Sequence, residues 1–191
     1  MKVVAINGSA RKGGNTALML RKVLEQLEAE GIETELIELS GKAMHGCIAC
    51  YKCIKNKDRR CAVDNDFAND CIAAMDAADG IVLGSPTYFA NVTAEMKALI
   101  DRAGMVGRVN GDMFALKVGA PVVVSRRGGD MLTFNALNAF FFIEQMVVPG
   151  SRYWNLGRGM DKGQVADDAE AMETMEILGQ NMAWLLRKIH G

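Results

Sequence analysis

The chain predicts an α/β fold. We read one domain over residues 1–191, built on a doubly wound parallel sheet of five strands in the order 2-1-3-4-5, with a cysteine-rich insertion at residues 41–66 after the second strand. Three observations predict it. Short apolar runs of strand length alternate with longer stretches of helical periodicity, as in a parallel sheet covered on both faces. The segments after the first, third and fourth runs are rich in Gly, Ser, Thr and Asn, as loops at a ligand-binding sheet edge are. Four of the five cysteines crowd between residues 47 and 61, in a stretch too long and irregular for an ordinary connection.

The elements follow in order. "KVVAI" (residues 2–6) is a short apolar run that ends at "NGS", the signature of a buried strand. After a Gly-rich loop, Leu20, Val23, Leu24 and Leu27 fall on one face of a helix that stops at Gly31. "IETELIEL" (32–39) alternates apolar and polar residues, as a half-covered strand does. Past the cysteines, Phe67, Cys71, Ala74, Met75 and Ala78 resume helical spacing, so Cys71 reads as a core thiol. "GIVLGSP" (80–86) is a third strand and "TAEMKALIDRAG" (93–104) a helix. A fourth strand is expected around Val122–Ser125, then a very apolar helix over 131–146, and a fifth strand in "VVPGSRYW" (147–154). The last helix starts near residue 166, with a buried stripe of Ala171, Met175, Leu178, Met182, Leu185 and Ile189. Its acidic start and "RK" end suit the helix dipole. Five strands in this alternation give the flavodoxin-like arrangement, in which ligands bind beyond the carboxyl ends of strands one and three.

Totals exclude several classes. Half the residues are hydrophobic and the net charge is −1, which carries no bulk signal for nucleic acid or an anionic membrane. The longest apolar tract, Ala139–Gly150, is interrupted by Glu144, Gln145 and Pro149 and is too short to span a bilayer. The N-terminus lacks the apolar region of a signal peptide, and a cytoplasmic location is expected. Of the two histidines, His190 is penultimate and His45 adjoins the cysteines, which leaves little material for a His-based hydrolytic triad. No acid–base catalytic residue is assigned.

Three loops carry the ligand chemistry. "NGSARKGGNT" supplies Ser9, Asn15 and Thr16 as short donors, Arg11 and Lys12 as cations, and Gly13 and Gly14 for close backbone approach, all before a helix N-terminus that favours an anion. It is neither a Walker loop nor a dinucleotide fingerprint. "GSPTYFANVTAEMK" places Pro86, Thr87, Tyr88, Phe89 and Asn91 at the point where the strand order reverses; Asn91 and Thr93 are also helix-cap candidates. "SRRGGD" offers Ser125, Arg126, Arg127, Gly128 and Gly129. Together they describe a pocket for a phosphate-bearing planar aromatic molecule.

Cys47, Cys50 and Cys53 are spaced C-x2-C-x2-C, and Cys61 follows. In a reducing compartment a disulfide is the weakest reading. Tetrahedral zinc is open to four thiolates, although it usually takes two separated C-x2-C knuckles. The compact run suits the corners of a 4Fe–4S cubane. Lys52, Lys55, Lys57, Arg59 and Arg60 would stabilise a negative cluster, or are solvated loop charges.

"GSARKGGNT", "SPTYFANVTAEMKALIDR" and "SRRGG", in this order, resemble the NADPH-dependent FMN reductase family, and "CIACYKC…C" after strand two is similar to its iron–sulfur flavoprotein branch. The resemblance implies that Ser9, Arg11, Asn15 and Thr16 bind the FMN phosphate, with Gly14 at a variable position of the motif. It implies that Pro86, Thr87, Tyr88, Phe89 and Asn91 line the isoalloxazine, and that Ser125, Gly128 and Gly129 meet it from a third side. It further implies a 4Fe–4S cluster on Cys47, Cys50, Cys53 and Cys61 and NAD(P)H as a transient substrate. The implied partners are a small-molecule donor and acceptor, a ferredoxin-like redox protein, and further copies of the chain in a homodimer or homotetramer. The expected activity is FMN-dependent electron transfer, with a flavodoxin-type carrier or a cluster-free flavin or quinone reductase as alternatives.

Overall fold

A computed structural model describes all residues, Met1–Gly191. The strands are β1 (Lys2–Asn7), β2 (Glu33–Glu38), β3 (Gly80–Pro86), β4 (Val118–Ser125) and β5 (Leu156–Arg158). They form one sheet in the order β2-β1-β3-β4-β5, and every pairing is parallel. The helices are α1 (Asn15–Ala29), α2 (Lys52–Asn56), α3 (Ala68–Ala77), α4 (Ala94–Val109), α5 (Asp130–Ile143) and α6 (Ala169–His190), with a 3-10 turn at Gln164–Asp167.

The period of two along the central strands divides the core into two layers. Val3, Ala5 and Val82 face α1 and α6, where Leu20, Val23, Leu27, Met175, Leu178 and Met182 cover them. Val4, Ile6, Ile81 and Leu83 face the opposite way, toward Cys71, Met75, Met96, Leu99, Phe140 and Phe141 of α3, α4 and α5. Both faces are dry, so the central strands need no polar alternation, and all residues of β4 are buried. The core thiol Cys71 sits among these side chains, and burial pushes it up to about 12.

Three sequence expectations are corrected. The fifth strand lies at Leu156–Arg158 rather than within 147–154. Val147 makes a single bridge to Val118. Pro149 then removes the next donor, and the chain crosses over before pairing at the far end of β4. The apolar stripe of α6 also ends early: Leu185 is half-buried, and Ile189 in the last turn is exposed. The helix after strand three runs to Val109, five residues past its expected end at residue 104, because Ala103 and Val106 continue its buried face. No helix is long and apolar enough to cross a membrane.

Candidate functional site

The loops after β1, β3, β4 and β5 meet at one end of the sheet around a cavity of about 240 Å³. Ser9, Arg11, Asn15, Thr16, Pro86, Thr87, Tyr88, Val124, Arg126, Gly159, Met160 and Lys162 line it. The backbone explains why these loops converge. Gly8 N–H donates to Gly84 O at 2.8 Å, joining the first loop to the third strand. Thr93 caps α4, accepting from Met96 N, and its hydroxyl donates to Gly8 O at 2.8 Å. Thr87 N–H donates to Val124 O at 2.8 Å. No side chain caps the start of α1, which leaves its first-turn N–H groups available to an anion. The Thr87 hydroxyl is buried with no hydrogen-bond partner, an orphaned donor in the cavity wall.

Of the residues singled out in the sequence, Ser9, Arg11, Asn15, Thr16, Pro86, Thr87 and Tyr88 are brought together around this cavity. The other six predicted residues stand elsewhere. Gly14 is the residue preceding α1, its N–H turned to Arg11 O. Tyr88 and Asn91 exchange backbone hydrogen bonds across a tight turn whose tip, Phe89, is fully exposed. Asn91 accepts from Val92 N with its own side chain. The Ser125 hydroxyl is engaged with Asp130 at 2.8 Å and with Arg158, away from the cavity. Gly128 is open to solvent. Gly129 adopts φ +80° and braces the Thr87–Ala90 turn: a Cβ there would stand 3.2 Å from Ala90 Cα. The sequence reading missed Gly159, Met160 and Lys162, whose only local signal is the Gly-rich basic run "GRGMDKG".

The four cysteines line a second cavity, of about 270 Å³, between their loop and α4. Ile48, Tyr51, Val63, Met105 and Val106 supply apolar walls, and Asp101 and Arg102 are its charged residues. Cys47 and Cys50 are exposed, Cys61 half-buried and Cys53 buried, where burial pushes its thiol up. Ala49 and Tyr51 take left-handed backbone conformations that β-carbons disfavour, so the loop curls tightly around the space between the thiols. No three His, Cys, Asp or Glu side chains come close enough to hold a single metal ion.

One buried polar hub holds this loop. Arg102, 1% exposed, pairs with Asp66 at 2.5 Å, and both side chains are fully enclosed. Its Nε donates to Cys61 Sγ at 3.3 Å, its Nη1 to His45 O at 3.2 Å and its Nη2 to Val63 O. Asp66 also accepts from His45 N at 2.6 Å and from Ala68 N at 3.2 Å. Burial pushes the Asp66 carboxyl up, but these donors outweigh it and hold it below the usual carboxylate range. Asn69 completes the hub, accepting from Cys61 N and donating to Cys61 O. Arg102 was legible in principle: it is a cation on the apolar stripe of Met96, Leu99, Ala103 and Val106.

The basic run plays a different part from the one its charge suggests. None of Lys52, Lys55, Lys57, Arg59 and Arg60 lines the cysteine cavity. Lys57 donates to Val109 O and Arg59 grips Asp76, so they fasten the loop to α4 and α3.

Comparison with known proteins places these observations. Residues 1–161 match the family model described as NADPH-dependent FMN reductase. An iron–sulfur flavoprotein of Methanocaldococcus jannaschii is 38% identical, the match covering 99% of both chains. An iron–sulfur flavoprotein of Methanosarcina thermophila is 33% identical over 99% of this chain and 97% of its own. Among solved structures, RosB with a bound 8-demethyl-8-formylriboflavin-5'-phosphate superposes with a TM-score of 0.78 at 17% identity, covering 99% of this chain and 80% of that one. A flavodoxin from the domain Archaea superposes with a TM-score of 0.63 at 15% identity, covering 98% and 99%. These two likenesses show the fold.

Proposed function

The chain belongs to the NADPH-dependent FMN reductase family, and from that premise we propose that it is an FMN-dependent oxidoreductase drawing on NAD(P)H or a reduced protein and delivering electrons to a small acceptor or, through a 4Fe–4S cluster, to a redox partner. Bound FMN would supply two-electron acceptance with one- or two-electron release, and a cluster would supply single-electron transfer. One observation carries the flavin reading: Ser9, Thr16, Thr87 and Tyr88 surround one cavity at the reversal of strand order, with the Thr87 hydroxyl left unpaired. Ser9 and Thr16 would meet the phosphate beside the start of α1, and Thr87 and Tyr88 would meet the ring system. Tyr88 is exposed on one side, which leaves the ring face open to a transient nucleotide.

The cluster reading rests on all four thiols bordering one cavity. Tetrahedral zinc draws its thiolates to about 2.3 Å from a single point, and no three candidate ligands converge in that way. Thiols spread around a space suit the separated corners of a cubane better. Arg102, donating to Cys61 Sγ, would offset the negative charge of such a centre. The same lack of convergence favours a second reading, a flavin reductase whose cysteines hold no metal. For partners we propose further copies of the chain in a homodimer or homotetramer, supported by exposed Phe142 and Ile143 on α5 and exposed Ile48 and Tyr51 beside the cysteines.

Anaerobic reconstitution with FMN, iron and sulfide tests the reading. The expected spectrum has two flavin bands and a broad shoulder that dithionite bleaches. Cys50→Ser should keep the flavin bands and lose the shoulder. Protein that stays colourless overturns the flavin reading, and wild type with flavin bands alone overturns the cluster.

A further inference from the structure

Arg11 is the cation that the loop motif assigns to the flavin phosphate, and one of its five N–H donors is already committed elsewhere. Its Nη1 donates to Met160 O at 2.8 Å, in the loop that follows β5. Asn15, another motif residue, grips the same loop twice. Its Nδ2 donates to Asp161 O at 2.9 Å, and its Oδ1 accepts from Gly163 N at 2.7 Å. The loop is also tied within itself, since Gln164 Oε1 accepts from Met160 N at 2.7 Å and Asp161 N at 3.1 Å. It lies so close to Asn15 that a Cβ on Gly159 would stand 2.7 Å from Asn15 Nδ2.

What this clasp delivers is Lys162. The side chain lines the flavin cavity and has no carboxylate partner. Its Nζ lies 3.9 Å from where a Cβ on Gly13 would stand, so the ammonium hangs over the phosphate loop. The loop needs that charge. A phosphate monoester carries about −1.5 to −2 near neutrality, whereas a helix N-terminus contributes only about half a positive charge. Glu38 reduces the local positive potential further, because its Oε1 accepts from Gly13 N at 2.9 Å.

We propose that Lys162 is a cation, supplied from outside the phosphate loop, that binds the 5′-phosphate of the flavin, with Arg11 and Asn15 also docking its loop. The site thereby selects phosphorylated flavin over riboflavin. This inference rests on the flavin reading above and adds to it a wall that lies outside the phosphate-loop motif.

Apo-protein titrated separately with FMN and with riboflavin, followed by flavin fluorescence, tests it. Lys162→Gln should weaken FMN binding about tenfold, the size of one charge-assisted hydrogen bond. Its riboflavin affinity should equal that of wild type, and its FMN affinity should fall less steeply with salt. Lys162→Arg should restore most of the loss. Lys162→Gln that binds FMN as tightly as wild type, or loses both flavins equally, overturns the proposal. So does Arg126→Gln reproducing the loss while Lys162→Gln does not. Wild type that binds neither flavin would instead sink the flavin reading itself.

Discussion

The cavity at the strand ends and the cysteine cavity are assembled on opposite principles. The first is framed by the ends of parallel strands, whose backbone hydrogen bonds fix each loop's root before any side chain acts. The second is a loop with one short helix, α2, and its geometry depends on the enclosed Arg102–Asp66 pair and on Asn69. Preorganisation is therefore distributed over many weak backbone contacts in one region and concentrated in a few strong polar ones in the other. The first kind tolerates the loss of a side chain, and the second fails when its hub is removed.

The largest expected effect tests that hub. Arg102→Met leaves Asp66 buried without its partner and should cost about 3–5 kcal/mol in urea denaturation. Iron incorporation should be lost while FMN absorbance persists. Loss of both chromophores in equal proportion would break the contrast between the regions. A smaller effect comes from the strand-end side. Gly129→Ala forces a β-carbon into a left-handed conformation against Ala90, at a cost of about 2 kcal/mol. It should weaken FMN binding by shifting the Thr87–Ala90 turn and leave iron content unchanged.

The smallest effect concerns the groove between α4 and α5, which shares Asp101 and Met105 with the cysteine cavity. Glu144 lies there 1% exposed with neither carboxyl oxygen bonded. Burial pushes its carboxyl up to about 7; Asp112 adds to the shift, Arg108 opposes it, and Lys97 and Asp101 line the same groove. The folded protein holds a proton there that the unfolded chain, with a carboxyl near 4.5, releases. This stabilisation is full below pH 4.5 and is lost as pH rises through about 7. Relative to its difference from wild type at pH 5, Glu144→Gln should gain about 1–2 kcal/mol by pH 6.5. An unchanged difference across that range would show that the carboxyl is not held protonated.

The two regions were also unequally legible. Strands buried on both faces announce themselves as apolar runs, and Gly80–Pro86 was located to the residue. The first and third loops could be read because local chemistry and position after a strand agree. Lys162 could not, since its place beside Gly13 depends on contacts between Asn15 and residues 146 and 148 positions away. The cysteines were conspicuous, but the residue that organises them was not. Charge density in "KNKDRR" drew the eye, whereas the single arginine on an apolar helical stripe supplies the cation.

Helix α4 has a consequence of its own. Thr93 at its start is bonded into the loop after β1, and Arg102 on its flank is bonded into the cysteine loop. At 1.5 Å per residue the two anchors lie about 14 Å apart along the axis. The helix acts as a gear shaft as well as a spacer. One residue inserted between the anchors would lengthen it slightly but rotate Arg102 by about 100° out of mesh with Asp66. The two sites are thus locked in phase, and their loops are free to vary only while that nine-residue interval stays intact.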